Sequence, residues 1–151
     1  MSLKSGIYQI QSSDKSQSFI GRNRAEDRSL NPKRVVALAP GILPLAPWVV
    51  EQLDNGRYIL KAGGRPTADI DHKLWAVLLD EPPATEWIIT PVSRVANNAY
   101  TIENSNGSGG WVVTEDEEDN QIAVRPLIVG PSEPPFYPPS EVFIFEEAPE
   151  D

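Results

Sequence analysis

Apolar residues recur along this chain in short alternating runs. "GIYQIQ" (6–11), "RYILKA" (57–62) and "AYTIE" (99–103) each place every second side chain on one face, which is the period of a half-buried β-strand. The runs are rich in β-branched and aromatic residues, which suit a pleated surface. Fifteen prolines and ten glycines punctuate them every few residues, so few windows are long enough for a helix. The pattern predicts further strands at 18–22, 34–39, 47–53, 68–71, 73–79, 86–92, 110–114, 121–128 and 141–147, twelve in all.

The twelve fall into three groups of four. Each group opens on a tyrosine phrase, with Tyr8, Tyr58 and Tyr100 spaced by 50 and 42 residues. Each closes on a bulky residue followed by alternating apolar ones: "PWVVEQ", "EWIITP" and "EVFIFEE". Internal repetition of this kind signals a repeated structural unit. One four-stranded unit cannot bury its apolar face alone, but three can enclose a shared core. The predicted fold is therefore all-β, a pseudo-threefold β-trefoil: a six-stranded barrel capped by three hairpins, formed by 1–151 as one domain. Closure removes exposed sheet edges. Sandwiches and eight- to ten-stranded barrels are the alternatives. The expected core is Tyr8, Ile10, Val36, Trp48, Tyr58, Leu60, Trp87, Ile89, Tyr100, Ile102, Val113, Val124 and Phe143. The proline-rich stretches 39–47, 80–85 and 130–140 read as rigid loops, with Phe136 and Tyr137 pinning the last to the barrel.

Charge and composition narrow the chemistry. The formal net charge is −9, which argues against general nucleic-acid binding, where a basic footprint must displace counterions. No run approaches the ~20 apolar residues of a membrane span, and the first residues lack the apolar core of a secretion signal. The expectation is a cytoplasmic, monomeric protein that binds neither nucleic acid nor membrane. The sequence has no cysteine and one histidine. Disulfides, thiolate metal sites, Cys-His pairs and multi-histidine metal sites are thereby excluded. His72, in the alternating "DIDHKLW", reads as an ordinary strand residue. "ENSNGSGG" (103–110) lacks the lysine and following helix of a phosphate loop and reads as a hairpin turn. "TEDEEDNQ" (114–121) lacks the spacing and central glycine of a calcium hand and reads as a solvated tip. No catalytic constellation, metal or cofactor is expected, so the chain reads as a binding protein rather than an enzyme.

One segment stands apart. "GRNRAEDRSLNPKR" (21–34) carries five basic residues between two early strands of an acidic chain. It exceeds the usual 2–5-residue hairpin connection, and long ordered loops are often functional. Pro32 fixes one backbone angle, and Asn23 and Asn31 can hydrogen-bond nearby backbone. Arginines on a braced backbone are what a trypsin-like protease recognises, through the aspartate of its specificity pocket.

The chain resembles the mushroom β-trefoil serine protease inhibitors of the cospin and cnispin kind. The resemblance covers its length, acidity, lack of cysteine, the opening "SGIYQI" and a basic loop after the second strand. It implies a β-trefoil that presents an arginine to trypsin-like serine proteases from the loop between the second and third strands. On this sequence, the implied reactive bond is Arg28–Ser29 in "EDRSL", with Arg24–Ala25 the rival. Arg24, Ala25, Glu26, Asp27 and Leu30 complete the protease-binding loop, and Asn23, Asn31 and Pro32 support it. Arg65 precedes a proline, which blocks productive cleavage. A cysteine protease inhibitor of the mycocypin type is the first alternative, weakened because the "GGRP" loop holds arginine where legumain needs asparagine. A carbohydrate-binding β-trefoil lectin is the second. The ricin-type glutamine–any–tryptophan signature is absent: Ala46, Lys73, Thr85 and Gly109 stand two positions before the four tryptophans Trp48, Trp75, Trp87 and Trp111, which sit inside apolar alternation as core residues do.

Overall fold

The computed structural model describes residues 3–14, 17–22, 26, 28–39, 41–79, 84–114, 120–128 and 137–148. Twelve strands form among them: β1 (Gly6–Ser12), β2 (Ile20–Arg22), β3 (Lys33–Ala37), β4 (Trp48–Gln52), β5 (Tyr58–Ala62), β6 (Arg65–Ile70), β7 (Lys73–Ala76), β8 (Trp87–Pro91), β9 (Ala99–Asn104), β10 (Gly110–Val112), β11 (Ala123–Arg125) and β12 (Phe143–Glu147). A 3-10 turn spans Pro139–Glu141. The expected segments all contain strands, but several are shorter than the apolar runs suggest. β11 stops before Pro126, which has no N–H to donate to a ladder.

The strand pairs are antiparallel and the sheet closes on itself. Nine strands make the ring, in the order β11-β10-β9-β12-β1-β4-β5-β6-β7, with β7 pairing back to β11. Three strands lie outside that path. β8 pairs with both β5 and β9, while β3 pairs with β7 and β2 with β3. Closure leaves the nine ring strands without a free edge among the described residues.

The core is aromatic and follows the repeat in the sequence. Tyr8, Tyr58 and Tyr100, the openers, are all buried, as are Trp48, Trp87 and Phe143, the bulky residues of the closers. Trp111, from β10, touches all three closers, with ring centroids 5.4 Å from Trp48, 5.7 Å from Trp87 and 5.7 Å from Phe143. Such tilted and edge-on pairs suit the ring quadrupoles. The indoles of the first two closers each find an acceptor: Trp48 Nε1 donates to the carbonyl of Ile20 (2.6 Å) and Trp87 Nε1 to Thr67 Oγ1 (3.1 Å). The core expected from sequence is buried, except that Val113 is only partly so and packs at the edge.

Two residues differ from expectation. Trp75 is half-buried, with Nε1 donating to the carbonyl of Ile70 (3.2 Å). His72 is not in a strand. It forms with Asp71 the two-residue turn between β6 and β7, and both have positive φ (64° and 58°). Asp and His are among the non-glycine residues that tolerate this region, and a hairpin turn of this kind needs it at both central positions. Tyr137 is half-buried and packs with Val92, Ala99 and Val142. Phe136, the rest of the proline-rich segment before it, and most of the 114–121 acidic tip lie outside the described residues.

Candidate functional site: the loop between β2 and β3

β2 and β3 pair as Ile20↔Ala37, Gly21↔Val36 and Arg22↔Val35, so residues 23–32 form the connecting loop. Strand alternation decides what lies at its feet. Lys33 shares a face with Val35 and is buried at 6% exposure. Arg22, at the other foot, is half-buried.

Both foot residues reach into the loop. The Arg22 guanidinium makes two charge-assisted bonds to the Glu26 carboxylate, Nε to Oε2 at 2.9 Å and Nη2 to Oε1 at 2.7 Å. This side-on geometry is the strongest form of the pair. Arg22 Nη1 also lies 3.5 Å from the carbonyls of Ala62 and Gly63, in the β5–β6 turn. On the other side, Lys33 Nζ donates to Ser29 Oγ at 3.3 Å, and the backbone N–H of Asn31 donates to the same oxygen at 3.3 Å.

The other described loop residues mostly face solvent. Arg28, Ser29, Leu30 and Asn31 are exposed, Leu30 to 62%, and Pro32 is half-buried. Arg28 thus stands on an exposed stretch with a scaffold contact two residues before it, at Glu26, and another one residue after it, at Ser29. Asn23, Arg24, Ala25 and Asp27 lie outside the described residues. The sequence points to Asn23, Asn31 and Pro32 as the loop's supports. The described contacts add Arg22, Lys33 and the Ser29 hydroxyl. The inward placement of Lys33 could have been found by carrying the alternation of "KRVVA" back one step from Val35.

Beneath the loop lies a half-open cavity of about 240 Å³. Gly21, Pro44, Leu45 and Trp48 give it an apolar wall, and Arg22 and Glu26 form its charged rim. Gly21 is required there, because a Cβ would meet Pro44 at 2.7 Å. Leu45, beside the rim, is 76% exposed.

The described residues contain no group of three or more histidine, cysteine, aspartate or glutamate side chains able to hold a metal ion. Among them no helix is long and apolar enough to cross a membrane.

Comparison with known proteins places this architecture. Residues 1–147 match the family described as Peptidase inhibitor I66. A serine protease inhibitor of Lentinula edodes is 44% identical over 142 residues, which are 94% of this chain and 96% of that protein. The solved structure of a proteinase inhibitor from Coprinopsis cinerea superposes with a TM-score of 0.89 at 41% identity, covering 97% of this chain and all of that one (100%). A designed three-fold symmetric protein, ThreeFoil, shares the fold at a TM-score of 0.71 with 11% identity, over 95% of this chain and 99% of its own. The mushroom resemblance read from the sequence is therefore sound, and these relatives are inhibitors rather than enzymes. The match across nearly the whole length, together with two fungal relatives above 40% identity, shows that this chain belongs to the peptidase inhibitor I66 family.

Proposed function

We propose that this protein inhibits trypsin-like serine proteases by offering them the β2–β3 loop as a substrate, with Arg28 in the specificity pocket and Arg28–Ser29 as the reactive bond. The observation that carries this reading is the exposed arginine held between two scaffold contacts. A guanidinium presented this way can pair with the aspartate at the base of a trypsin-like pocket through charge-assisted bonds. Glu26 and Ser29, on either side of Arg28, already contact the strands, so less conformational entropy is lost on docking. The serine protease inhibitor of Lentinula edodes supports a serine protease as the target.

The chain acts as a monomer and forms one β-trefoil domain. In this reading β1, β4, β5, β8, β9 and β12 are the six barrel strands, and the hairpins β2–β3, β6–β7 and β10–β11 are the cap. The pairings of β8 with β5 and β9 support that grouping. The reactive loop then belongs to the first cap hairpin. Leu30 and Leu45 supply exposed apolar area to the rim of a standard-sized interface of ~1,600 Å².

The test is an inhibition panel of trypsin, chymotrypsin, papain and a legumain-type protease, with a glycan array beside it. Tight, stoichiometric inhibition of trypsin alone is the expected result. Inhibition of papain or legumain without trypsin, or glycan binding without protease inhibition, would overturn the reading.

A further inference from the structure

We propose that Arg22 and Lys33 are positioning residues that hold the two sides of the Arg28–Ser29 bond in place, so that a protease which cuts the bond also re-forms it. The proposal rests on the reading of Arg28–Ser29 as the reactive bond. Its evidence is the placement of the two cations. Arg22 ends β2 and Lys33 begins β3, so each sits on the strand from which its own limb of the loop springs. Arg22 grips Glu26 on the side that would become the acyl fragment, with two bonds of 2.9 and 2.7 Å. Lys33 grips Ser29, the residue that would become the new amino terminus, at 3.3 Å.

The two grips differ in character, and each fits its side. The Arg22 fork fixes both the distance and the plane of the Glu26 carboxylate. Its third nitrogen lies by the Ala62 and Gly63 carbonyls, which tie this limb to the β5–β6 turn as well. Lys33 is buried, and a buried ammonium is costly unless acceptors surround it. Ser29 Oγ is one of the acceptors of that ammonium.

The chemical consequence concerns the acyl-enzyme. The protease serine oxygen bonds to the Arg28 carbonyl carbon, and the bond from that carbon to the Ser29 nitrogen breaks. The proton from the enzyme serine passes through its histidine to the Ser29 nitrogen, which leaves as an amine. In an ordinary substrate the amine diffuses away and water takes its place. Here Ser29 stays tied to Lys33 and Glu26 to Arg22, across strands that are themselves paired. The amine therefore remains beside the ester carbon and attacks it, returning the proton to the enzyme and restoring the peptide bond. Held reactants of this kind react as if at very high local concentration.

The experiment uses the full chain and trypsin at equal concentration. Glu26→Ala, Ser29→Ala and Ser29→Thr, each with Arg28 retained, and Arg28→Ala alone are compared with the parent. Three quantities are read: the association rate constant, the rate at which chain cut after Arg28 accumulates by mass spectrometry, and the thermal midpoint. Glu26→Ala and Ser29→Ala should accumulate cut chain about tenfold faster, ~1.4 kcal/mol. The association rate constants put cutting on a per-complex basis, and the thermal midpoints show that the fold is kept, with Ser29→Ala melting slightly lower because Lys33 loses an acceptor. Ser29→Thr keeps the hydroxyl and should restore slow cutting. If Glu26→Ala and Ser29→Ala are cut as slowly as the parent while Arg28→Ala abolishes inhibition, the tethers are wrong and the reactive bond stands. If Ser29→Thr is cut as fast as Ser29→Ala, the Lys33 tether is wrong. If Arg28→Ala inhibits like the parent, the reactive bond is misassigned and the tether proposal goes with it.

Discussion

The indole Nε1 of Trp48 donates to the main-chain carbonyl of Ile20 at 2.6 Å, and this bond ties β4 to the strand that leads into the β2–β3 loop. Both residues are buried. Phe143 is the matching closer in the third repeat, so an aromatic ring without an N–H is compatible with this position. Trp48→Phe should therefore cost mainly the acceptor left unsatisfied at Ile20, with a smaller cavity term, ~2 kcal/mol together. Urea denaturation should show a lower midpoint. An unchanged midpoint would mean that Ile20 finds another donor.

Gly63 supports the loop from the neighbouring hairpin. Its φ is +59°, and a Cβ there would meet Arg22 Nη1 at 2.8 Å. Gly64 has a φ of +79° with open space around it. Alanine at either position strains the backbone by ~1–2 kcal/mol. Only Gly63→Ala also displaces Arg22. Both variants should lose stability in thermal melts, and only Gly63→Ala should be cut faster by trypsin. Equal cutting of the two would separate Arg22 from loop support.

Two carboxyls give the fold a pH dependence of defined sign. Burial pushes Glu103 and Glu141 above the ordinary value of 4.5. At Glu141 burial is the main cause, the backbone N–H of Ile128 opposes it, and the Glu103 charge adds to it. A raised carboxyl favours the folded state in its neutral form. That contribution is complete below the unfolded value and is lost as pH rises through the folded one. The urea midpoint should therefore rise as pH falls from 7 towards about 4.5. Glu141→Gln, which keeps an acceptor for Ile128, should flatten the trend. A parent whose midpoint falls steadily over this range would contradict the assignment.

The sequence reveals the repeat because the repeat is hydrophobic. Tyr8, Tyr58 and Tyr100 open buried strands, and Trp48, Trp87 and Phe143 surround one ring, so periodicity and burial coincide. His72 escaped because "DIDHKLW" alternates across a two-residue turn, and polarity alternation does not report the sign of φ. Trp75 escaped because a large aromatic in an alternating run satisfies the same pattern whether it faces the core or half faces solvent. The grip of Arg22 on Glu26 was hidden for another reason. An i,i+4 ion pair in sequence suggests a helix surface, whereas here a loop folds back on its own strand. The loop stood out through its length and charge, the choice of Arg28 within it came from the family resemblance, and its neighbours' contacts with Arg22 and Lys33 needed three dimensions.

Inhibition should require neither a metal nor a reducible bond. The sequence contains no cysteine and a single histidine, and bracing by Arg22, Lys33 and Ser29 is non-covalent. Inhibitor treated with dithiothreitol or a chelator, then freed of the reagent, should inhibit trypsin as before. Loss of inhibition after either treatment would point to a different site.

The most direct test of the central claim is the trypsin inhibition constant of Arg28→Ala beside that of Arg24→Ala. Arg28 is exposed on its loop, so its loss should leave the thermal midpoint where it is. In the complex the guanidinium would be buried against the pocket aspartate. Truncating a hot spot of this kind costs ~4–8 kcal/mol, several powers of ten in affinity at ~1.4 kcal/mol each. Arg24→Ala should cost far less, as loss of a rim charge does. Arg28→Ala weakened by at least about a thousandfold, with Arg24→Ala near the parent, is the predicted result. Arg28→Ala inhibiting like the parent would contradict it, with the bond moved to Arg24–Ala25 if only Arg24→Ala fails, and the loop excluded if both still inhibit.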